Sequence, residues 1–408
     1  MAQSREEVPV IVQMRQVNQN LRNSISGLAT RVTTDLPLIE GFACYMNTDN
    51  IYRLANSNDI DYISFDSKVY TLLDIATASM DSNFPRQKGY EGENITVAVI
   101  DTGVAPHNDL IKPYNRIIGF KDLVNKRTET YDDNGHGTHV AGIIAGNGYS
   151  SKGKYAGVAP KANILAIKAL DEYGGGSTSD VVAAISYVIE TKDMYNTKVI
   201  NLSVGTPANS SCDKDPLCKA VERALQAGLI VIAAAGNSGP EAGSILSPGM
   251  NSNVITVGAV DDKRTIDVSD DTIATFSSRG PTAEGIIKPD LVAPGVNINS
   301  LSNNKLDSYI SLSGTSMATP LVSGSVALLL NKYGDLSQQE VKEKFLKSCI
   351  DLKESKENQG YGMLNLRKLF SEEINLENTP PMKVLNNEDL LENLIMILVI
   401  IFLLDSRI

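Results

Sequence analysis

The sequence of 408 residues contains no tryptophan, only three histidines and four cysteines, and fewer basic than acidic side chains. With 37 Lys and Arg against 48 Asp and Glu, its formal net charge is −11. Phosphate binding needs a clustered basic surface, so this balance argues against nucleic acid or an anionic membrane as the main partner. Hydrophobic residues make up 42 % and charged residues 21 %, which excludes a disordered or collagen-like chain.

The few cysteines are too widely spread for a disulfide framework, and no CxxC pair suggests zinc. Cys212 and Cys218 share one polar segment and could close a small loop. We expect instead two unpaired thiols beside the start of a helix.

The two ends of the sequence differ in character. Met1–Glu7 is polar and acidic, and no apolar signal core follows it, so the sequence predicts a cytoplasmic protein, with an extracellular one as the alternative. Leu394–Leu404 is an uninterrupted apolar run of eleven residues, whereas a bilayer span needs about 20. We expect this tail to pack on the body, to self-associate or to touch a membrane surface rather than to span one.

Four segments follow from the composition: 1–75, 76–94, 95–370 and 371–408. The first has a mixed pattern that fits a β-α-β-β-α-β unit. Its predicted strands are Val8–Met14, Gly41–Tyr45 and Asp61–Val69, and its predicted helices are Val17–Leu28 and Thr48–Asn56. The second is a polar linker within Ser79–Asn94, and the last is acidic and then apolar.

From residue 95 onward, short apolar strands alternate with helices, which predicts a mostly parallel sheet with helices on both faces, an α/β fold. The predicted strands are Ile95–Ile100, Ile164–Leu170, Val199–Ser203 and Leu229–Ala234, and the helices are His136–Ala145, Asp180–Thr191 and Pro216–Ala227. Ligand sites in this architecture lie beyond the carboxyl ends of the strands.

Four polar residues stand where such a site is expected. Asp101 directly follows one buried strand and Asn237 another, while His136 and Ser316 open predicted helices. The unpaired N–H groups of a helix N-terminus favour developing negative charge. Each residue alone could be a turn residue or a helix cap. Their combination favours a catalytic site.

A metal site is the alternative for the histidines, because His136 and His139 are spaced i, i+3 on one helix face. The Glu that accompanies such a pair in zinc hydrolases is absent, and only His107 remains as a third imidazole. A metallohydrolase is therefore not favoured. We expect His139 to be a packed helix residue and His107 a loop histidine.

Four motifs together resemble the signatures of the subtilisin-like (subtilase) serine proteases. They are Asp101-Thr-Gly, Asn134-Gly-His-Gly-Thr-His-Val-Ala-Gly142, Ala235-Gly-Asn237-Ser-Gly and Gly314-Thr-Ser-Met-Ala-Thr-Pro320. They occur in the family's Asp–His–Ser order. The resemblance covers about residues 95–369 and includes Phe276–Pro281 and Lys288–Gly295. Within the family it is strongest to the AprX-like intracellular proteases.

The resemblance implies a serine endopeptidase that acts on proteins or peptides through an acyl-enzyme. Ser316 would be the nucleophile, His136 the general base, and Asp101 the residue that orients it. The side chain of Asn237 and the Ser316 N–H would hold the oxyanion. A catalytically silent subtilase that serves as a binding or scaffold protein is the alternative, and the intact motif residues argue against it.

The same resemblance implies a substrate cleft. The backbone segments that would hold the substrate as an extended strand are Gly174, Gly175 and Gly176 on one side and Ser203, Val204 and Gly205 on the other. Ala233–Gly236, which includes Ala235 and Gly236, and the loop Leu246–Gly249 would line the S1 pocket. No acidic residue lies in these pieces, so we expect an apolar P1 side chain.

The family also suggests a metal and a partner. Catalysis requires no cofactor, but a structural calcium braces many members, and Asp109 matches one of its ligands. The loop Gly146–Gly153 supplies only Asn147 and backbone carbonyls as ligands, and the charge of Lys152 opposes a cation. The sequence therefore does not decide whether calcium binds. Residues 1–75 resemble the inhibitory propeptide, which would be cut off by the enzyme itself within Tyr70–Ile75, so that the mature chain begins in 76–94 or just before. An N-terminal module that is never removed is the alternative.

Overall fold

A computed structural model of the chain describes residues 7–15, 19–66, 68–71, 80–263, 265 and 267–371. The predicted tail after residue 371 and residues 72–75 of the predicted cleavage segment lie outside this part. No helix within the described part is long and apolar enough to cross a membrane.

The N-terminal residues form a four-stranded antiparallel sheet with two helices. Its elements are β1 (Glu7–Met14), α1 (Gln19–Ser26), β2 (Arg31–Leu36), β3 (Gly41–Asn47), α2 (Thr48–Ala55) and β4 (Ile60–Phe65). The strand order β2-β3-β1-β4 is that of the expected β-α-β-β-α-β unit. Strand β2 was missed because most of its residues are exposed, so it carries no apolar face.

The predicted strand Asp61–Val69 is wrong as a single element. The chain leaves β4 at Phe65, and a separate strand, β5 (Lys68–Thr71), joins a different sheet. Asp66 stands at this break, where its carboxylate accepts hydrogen bonds from the backbone and side chain of Ser179. The break therefore belongs to the contact between the N-terminal unit and the rest of the protein.

The larger part of the chain is the predicted α/β structure. Its elements are α3 (Asn83–Gln87), β6 (Thr96–Asp101), α4 (Asn108–Ile111), β7 (Ile117–Asp122), α5 (His136–Ala145), β8 (Asn163–Lys168), β9 (Gly175–Ser177), α6 (Thr178–Tyr195), β10 (Thr197–Leu202), β11 (Val204–Gly205), α7 (Pro216–Gln226), β12 (Ile230–Ala234), β13 (Ile255–Asp261), β14 (Thr272–Ile273), β15 (Leu291–Pro294), β16 (Ile298–Leu301), β17 (Tyr309–Leu312), α8 (Thr315–Tyr333), α9 (Gln338–Ser348), β18 (Cys349–Ile350), α10 (Lys356–Gln359), β19 (Met363–Leu364) and α11 (Leu366–Ser371). The segment predicted as a linker contains α3, from which Phe84 packs against the core.

The central sheet runs β18-β19-β15-β13-β12-β10-β6-β8-β7, with β14 beside β13. Strands β6, β8, β10, β12 and β13 pair in parallel, and their residues are almost all buried because helices cover both faces. Successive residues of β6 enter opposite cores: Val97 and Val99 face one cluster, Ala98 and Ile100 the other. The second cluster also contains Ile11 and Leu36 of the N-terminal sheet, so the two parts share a core.

The expectation of two unpaired thiols at Cys212 and Cys218 is wrong, because the two form a disulfide. The chain turns at Ser211, whose carbonyl accepts from the N–H of Asp215. Asp215 in turn caps α7 by accepting from the N–H of Cys218. This turn brings the two Cα atoms to 5.4 Å, within the usual range for a disulfide.

Candidate active site

Asp101 and His136 meet at the carboxyl edge of the sheet. Asp101 is the last residue of β6 and His136 the first of α5, and their side chains are fully buried. His136 Nδ1 lies 2.7 Å from Asp101 Oδ1, an oxygen that also accepts from the Thr102 N–H at 2.7 Å. A carboxylate accepts only, so Nδ1 carries the ring proton and Nε2 is the basic nitrogen.

Glycine makes this approach of helix and strand possible. A Cβ atom on Gly137 would collide with the carbonyl of Gly103 and lie 3.1 Å from the Asp101 Cβ. Gly135, directly before α5, has φ 106°, a conformation that other residues rarely adopt. At Gly142 a Cβ would collide with Ser300, so this glycine lets α5 lie close to β16.

Ser316 is the second residue of α8 and is fully buried. Its hydroxyl donates to the carbonyl of Ser203 at 3.1 Å, and the Ser203 hydroxyl donates back to the Ser316 carbonyl at 3.0 Å. Ser203 directly follows β10, the neighbour of β6, so Ser316 lies at the same sheet edge as Asp101.

Asn237 follows β12 and is held by the first residue of α8. Its Oδ1 accepts from both the N–H and the hydroxyl of Thr315, each at 3.0 Å. The Thr315 hydroxyl oxygen also accepts from the Gly236 N–H at 3.2 Å. Asn237 is thereby held against the start of the helix that carries Ser316.

The other two histidines are structural, as expected. His139 is fully buried, and its Nε2 lies 3.1 Å and 3.2 Å from the carbonyls of Ile298 and Ile310. Burial, helped by nearby His136, lowers the pKa of His139 to about 3, so its ring is neutral. His107 accepts from the Asp109 N–H and caps α4. No group of three His, Cys, Asp or Glu side chains in the described ranges could hold a metal.

The predicted substrate segments lie on either side of the chain's own strand β5. Strand β9 pairs antiparallel with it on one side, and β11 pairs antiparallel with it on the other. The paired positions are Lys68 with Ser177, Val69 with Gly176, Tyr70 with Gly175 and Gly205, and Thr71 with Val204. Gly174 precedes β9 with φ 77°, and Ser203 directly precedes β11.

Ala235 and Gly236 pack against the loop that was predicted to complete the pocket. Ala235 is fully buried, and its carbonyl accepts from the Leu246 N–H. Gly236 has φ 115°, and a Cβ there would lie 2.6 Å from Leu246 and 2.7 Å from the Ser278 hydroxyl. An acidic residue that sequence reasoning missed lies behind this loop: buried Asp215 accepts from the Ser247 hydroxyl at 2.6 Å.

The surroundings of Asp109 do not fit a calcium ion. Its Oδ1 accepts from the Ser150 N–H and its Oδ2 from the Tyr309 hydroxyl, each at 2.8 Å. The buried guanidinium of Arg116 donates to the backbone carbonyl of Asp109. Asn147, the only side-chain ligand offered by the neighbouring loop, accepts from the Tyr149 N–H and donates to a backbone carbonyl. Donors and a fixed positive charge thus stand where a cation would need oxygen ligands.

Comparison with known proteins agrees with the sequence motifs. The profile of the Subtilase family matches residues 92–363. The serine protease AprX of Bacillus subtilis (strain 168) is 43 % identical over 328 residues, which are 76 % of this chain and 73 % of that protein. Subtilisin DY of Bacillus licheniformis is 37 % identical over 282 residues, 68 % of this chain and 92 % of that protein. Subtilisin Savinase of Lederbergia lenta is 38 % identical over 278 residues, 68 % of this chain and 91 % of that protein.

Proposed function

This chain belongs to the subtilase family of serine endopeptidases, and we propose that Asp101, His136 and Ser316 are its catalytic triad. The observation that carries the proposal is the buried 2.7 Å contact between Asp101 and His136 at the sheet edge that also carries Ser316. In this role His136 Nε2 takes the proton of Ser316 Oγ as the oxygen attacks the substrate carbonyl, and then returns it to the leaving amine.

The attack requires the Ser316 hydroxyl to change its hydrogen-bond partner. In the described state it donates to the Ser203 carbonyl, which would leave its proton unavailable to His136. Rotation of the hydroxyl toward the imidazole gives up one neutral hydrogen bond, worth about 1 kcal/mol net, and gains another. This small cost makes the described arrangement a resting state of the proposed triad.

Asn237 Nδ2 and the Ser316 N–H are proposed as the oxyanion donors. The Asn237 carboxamide is fixed by its two hydrogen bonds from Thr315, so its donor needs no reorganisation during the reaction. Loss of a side-chain donor of this type lowers kcat by about 10²–10³-fold, a factor that was measured on subtilisin itself. We expect the same order of loss for Asn237→Ala.

We further propose that the N-terminal unit is a pro-segment that inhibits the protease. Strand β5 occupies the cleft between β9 and β11, as an extended substrate would. Asp66, just before it, accepts hydrogen bonds at the first turn of α6. An ion pair between Lys219 and Asp61 at 2.6 Å and a hydrogen bond from Gln13 to Lys214 attach the sheet to α7 and the loop before it.

The strand register suggests which bond the enzyme cleaves in its own chain. Tyr70 is paired with Gly205 and Thr71 with Val204, so each step toward Ser203 corresponds to one further residue of the N-terminal chain. Leu72 follows Thr71 in the sequence and lies outside the described residues; one further step of the same register would match it with Ser203, whose carbonyl contacts the Ser316 hydroxyl. We therefore propose cleavage between Leu72 and Leu73, within the predicted segment, with leucine at the apolar P1 position.

One experiment tests the triad and the processing together. The full chain is treated with a fluorophosphonate probe beside two variants, Ser316→Ala and the control Ser325→Ala, which lies farther along the same helix. We expect labelling of the wild type and the control only, and a new N-terminus at Leu73 by mass spectrometry. Labelling of Ser316→Ala would refute the nucleophile, and trimming of purified Ser316→Ala at Leu73 would refute self-processing.

The alternative, a catalytically silent subtilase, predicts no labelling of a correctly folded wild type. It receives no support from the site, because Asp101, His136, Asn237 and Ser316 are present and the first two are in contact. Cytoplasmic residence stays a prediction from the N-terminal sequence.

A further inference from the structure

Lys168 is a fully buried lysine at the end of strand β8. Its Nζ donates to the backbone carbonyls of Thr102 and Leu170, each at 2.8 Å, and to the carboxylate of Asp133. All three donors of the ammonium are thereby used, as burial of a charge requires. A lysine after the apolar run Ile164–Ile167 was the signal in the sequence, and the sequence analysis did not use it.

Lys168 lies on the strand next to the one that carries Asp101 of the proposed triad. In the parallel pairing of β6 and β8, Lys168 is the register partner of Asp101. Thr102, whose carbonyl it binds, donates its own N–H to Asp101 Oδ1. The Thr102 hydroxyl accepts from the N–H of Gly137, the residue after His136. One residue held by Lys168 therefore contacts both the strand and the helix that form the Asp–His pair.

Electrostatics gives Lys168 a second effect on the same pair. The Oδ2 atom of Asp101 is buried with no hydrogen-bond partner among the described residues, so nearby positive charge adds to the stabilisation that the carboxylate receives at Oδ1. A fixed ammonium favours the carboxylate of Asp101 and opposes the imidazolium of His136. Asp133, which is paired with the ammonium and 30 % exposed, has the opposite effect.

We propose that Lys168 is a positioning residue, which holds the Thr102 turn and, with Asp133, sets the pH at which His136 can act as a base. The inference rests on the proposed triad and adds to it a residue outside the family motifs quoted above. Replacement of the ammonium by an apolar side chain would leave two buried carbonyls and a carboxylate without their donor.

Other charged or titratable groups of the described residues near the pair are Asp132, Tyr131 and His139. Asp132 accepts from the N–H groups of Asn134 and Gly135 and from Thr138, and so is fixed at the start of α5. The ring of Tyr131 lies 5.2 Å from the Lys168 ammonium. His139, on the same helix as His136, is neutral because its pKa is lowered to about 3. Lys168 and Asp133 are therefore the pair of opposite charges to vary.

The test compares Lys168→Met, Asp133→Asn and the matched control Lys288→Met. Lys288 is also fully buried, but its Nζ contacts Val254, Thr256 and Asp290 instead of the site. Cleavage of a tetrapeptide anilide with leucine before the anilide is followed from pH 5 to 10. Each rate is normalised to active sites titrated with the fluorophosphonate, so loss of folded protein does not count as loss of activity.

Lys168→Met is expected to lower kcat about tenfold or more. It should also raise, by about half a unit, the pH at which kcat/KM falls to half on the acid side of the profile, called here the acid limb. Asp133→Asn is expected to move that limb down, because it removes the negative charge only. Lys288→Met is expected to lower the melting temperature without moving the limb. The inference is overturned if kcat and the acid limb are the same in Lys168→Met as in Lys288→Met.

Two further outcomes keep this test separate from the proposed triad. If Lys168→Met does not fold, Asp133→Asn decides alone, and an unchanged or raised acid limb overturns the inference. If Ser316→Ala retains the activity of the wild type, the triad fails first. Loss of activity in Ser316→Ala together with unshifted profiles in both charge variants refutes only the role of Lys168.

Discussion

Acid should destabilise this protein through His139. Its ring donates from Nε2 to two carbonyls, while Nδ1 is buried and has no hydrogen-bond partner in the part of the chain that the structure describes. A second proton would have to enter on Nδ1, where no acceptor faces it. Burial accordingly lowers the pKa of His139 to about 3, with a further contribution from His136, whereas in the unfolded chain it should stay near 6.5.

The sign and size of the effect follow from linkage. Between the two pKa values the unfolded state binds a proton that the folded state does not, so stability is lost as the pH falls below 6.5. The slope approaches about 1.4 kcal/mol per pH unit, which gives roughly 2 kcal/mol between about pH 6.5 and 4.5. That loss is a large fraction of the free energy of unfolding of a typical domain, which is roughly 5–15 kcal/mol.

Urea unfolding of the Ser316→Ala protein, which cannot digest itself in the proposed mechanism, measures this loss. His139→Gln is compared in that background, because a glutamine amide can still donate where Nε2 does but does not titrate. The free energy of unfolding should depend less steeply on pH in this variant, even if it is less stable at pH 7. His107→Gln is the comparison: burial also lowers the pKa of His107 but Asp109 opposes that shift, so this variant should flatten the slope less than His139→Gln. Equal slopes with and without His139 would refute the reasoning.

Three other changes have expected outcomes. Asp66→Ala removes the acceptor at the first turn of α6 and should shorten the lag before a fresh precursor becomes active several-fold; an unchanged lag contradicts the proposed docking. Gly137→Ala should lower kcat at least about tenfold, measured per titrated site, because its methyl displaces the Asp–His pair. Cys212→Ser with Cys218→Ser should cost about 2 kcal/mol in urea unfolding, and reductant should have the same effect on the parent protein.

The sequence predicted most of the elements that are defined by local signals. The helix His136–Ala145 was placed correctly at both ends, because glycines stand on either side of it and an apolar stretch, Val140–Ala145, fills its second half. The buried strand before Asp101 was equally clear, since a run of six apolar or β-branched residues has few other uses. These two elements carry Asp101 and His136, which the fold then brings together.

What the sequence did not reveal depends on contacts between distant residues. Nothing within Asp61–Val69 announces that the chain changes sheets at Asp66, because the partner, Ser179, is more than a hundred residues away. The same holds for the two donors to the Asp109 carboxylate, one of which comes from Tyr309. Local patterns carry no information about such partners, so the sequence alone could not show what surrounds Asp109.

The position of the proposed cut relative to the docking contacts determines what cleavage can do. The contacts that attach the N-terminal unit to α6 and α7, through Gln13, Asp61 and Asp66, all precede Leu72 in the chain. Hydrolysis after Leu72 would therefore leave every one of them intact, together with β5 in the cleft. In the proposed mechanism the cleaved segment would remain a bound product that blocks its own enzyme. Activity would then wait for dissociation or digestion of the N-terminal unit, so the stability of that unit, more than the chemistry at Ser316, would set the time of activation.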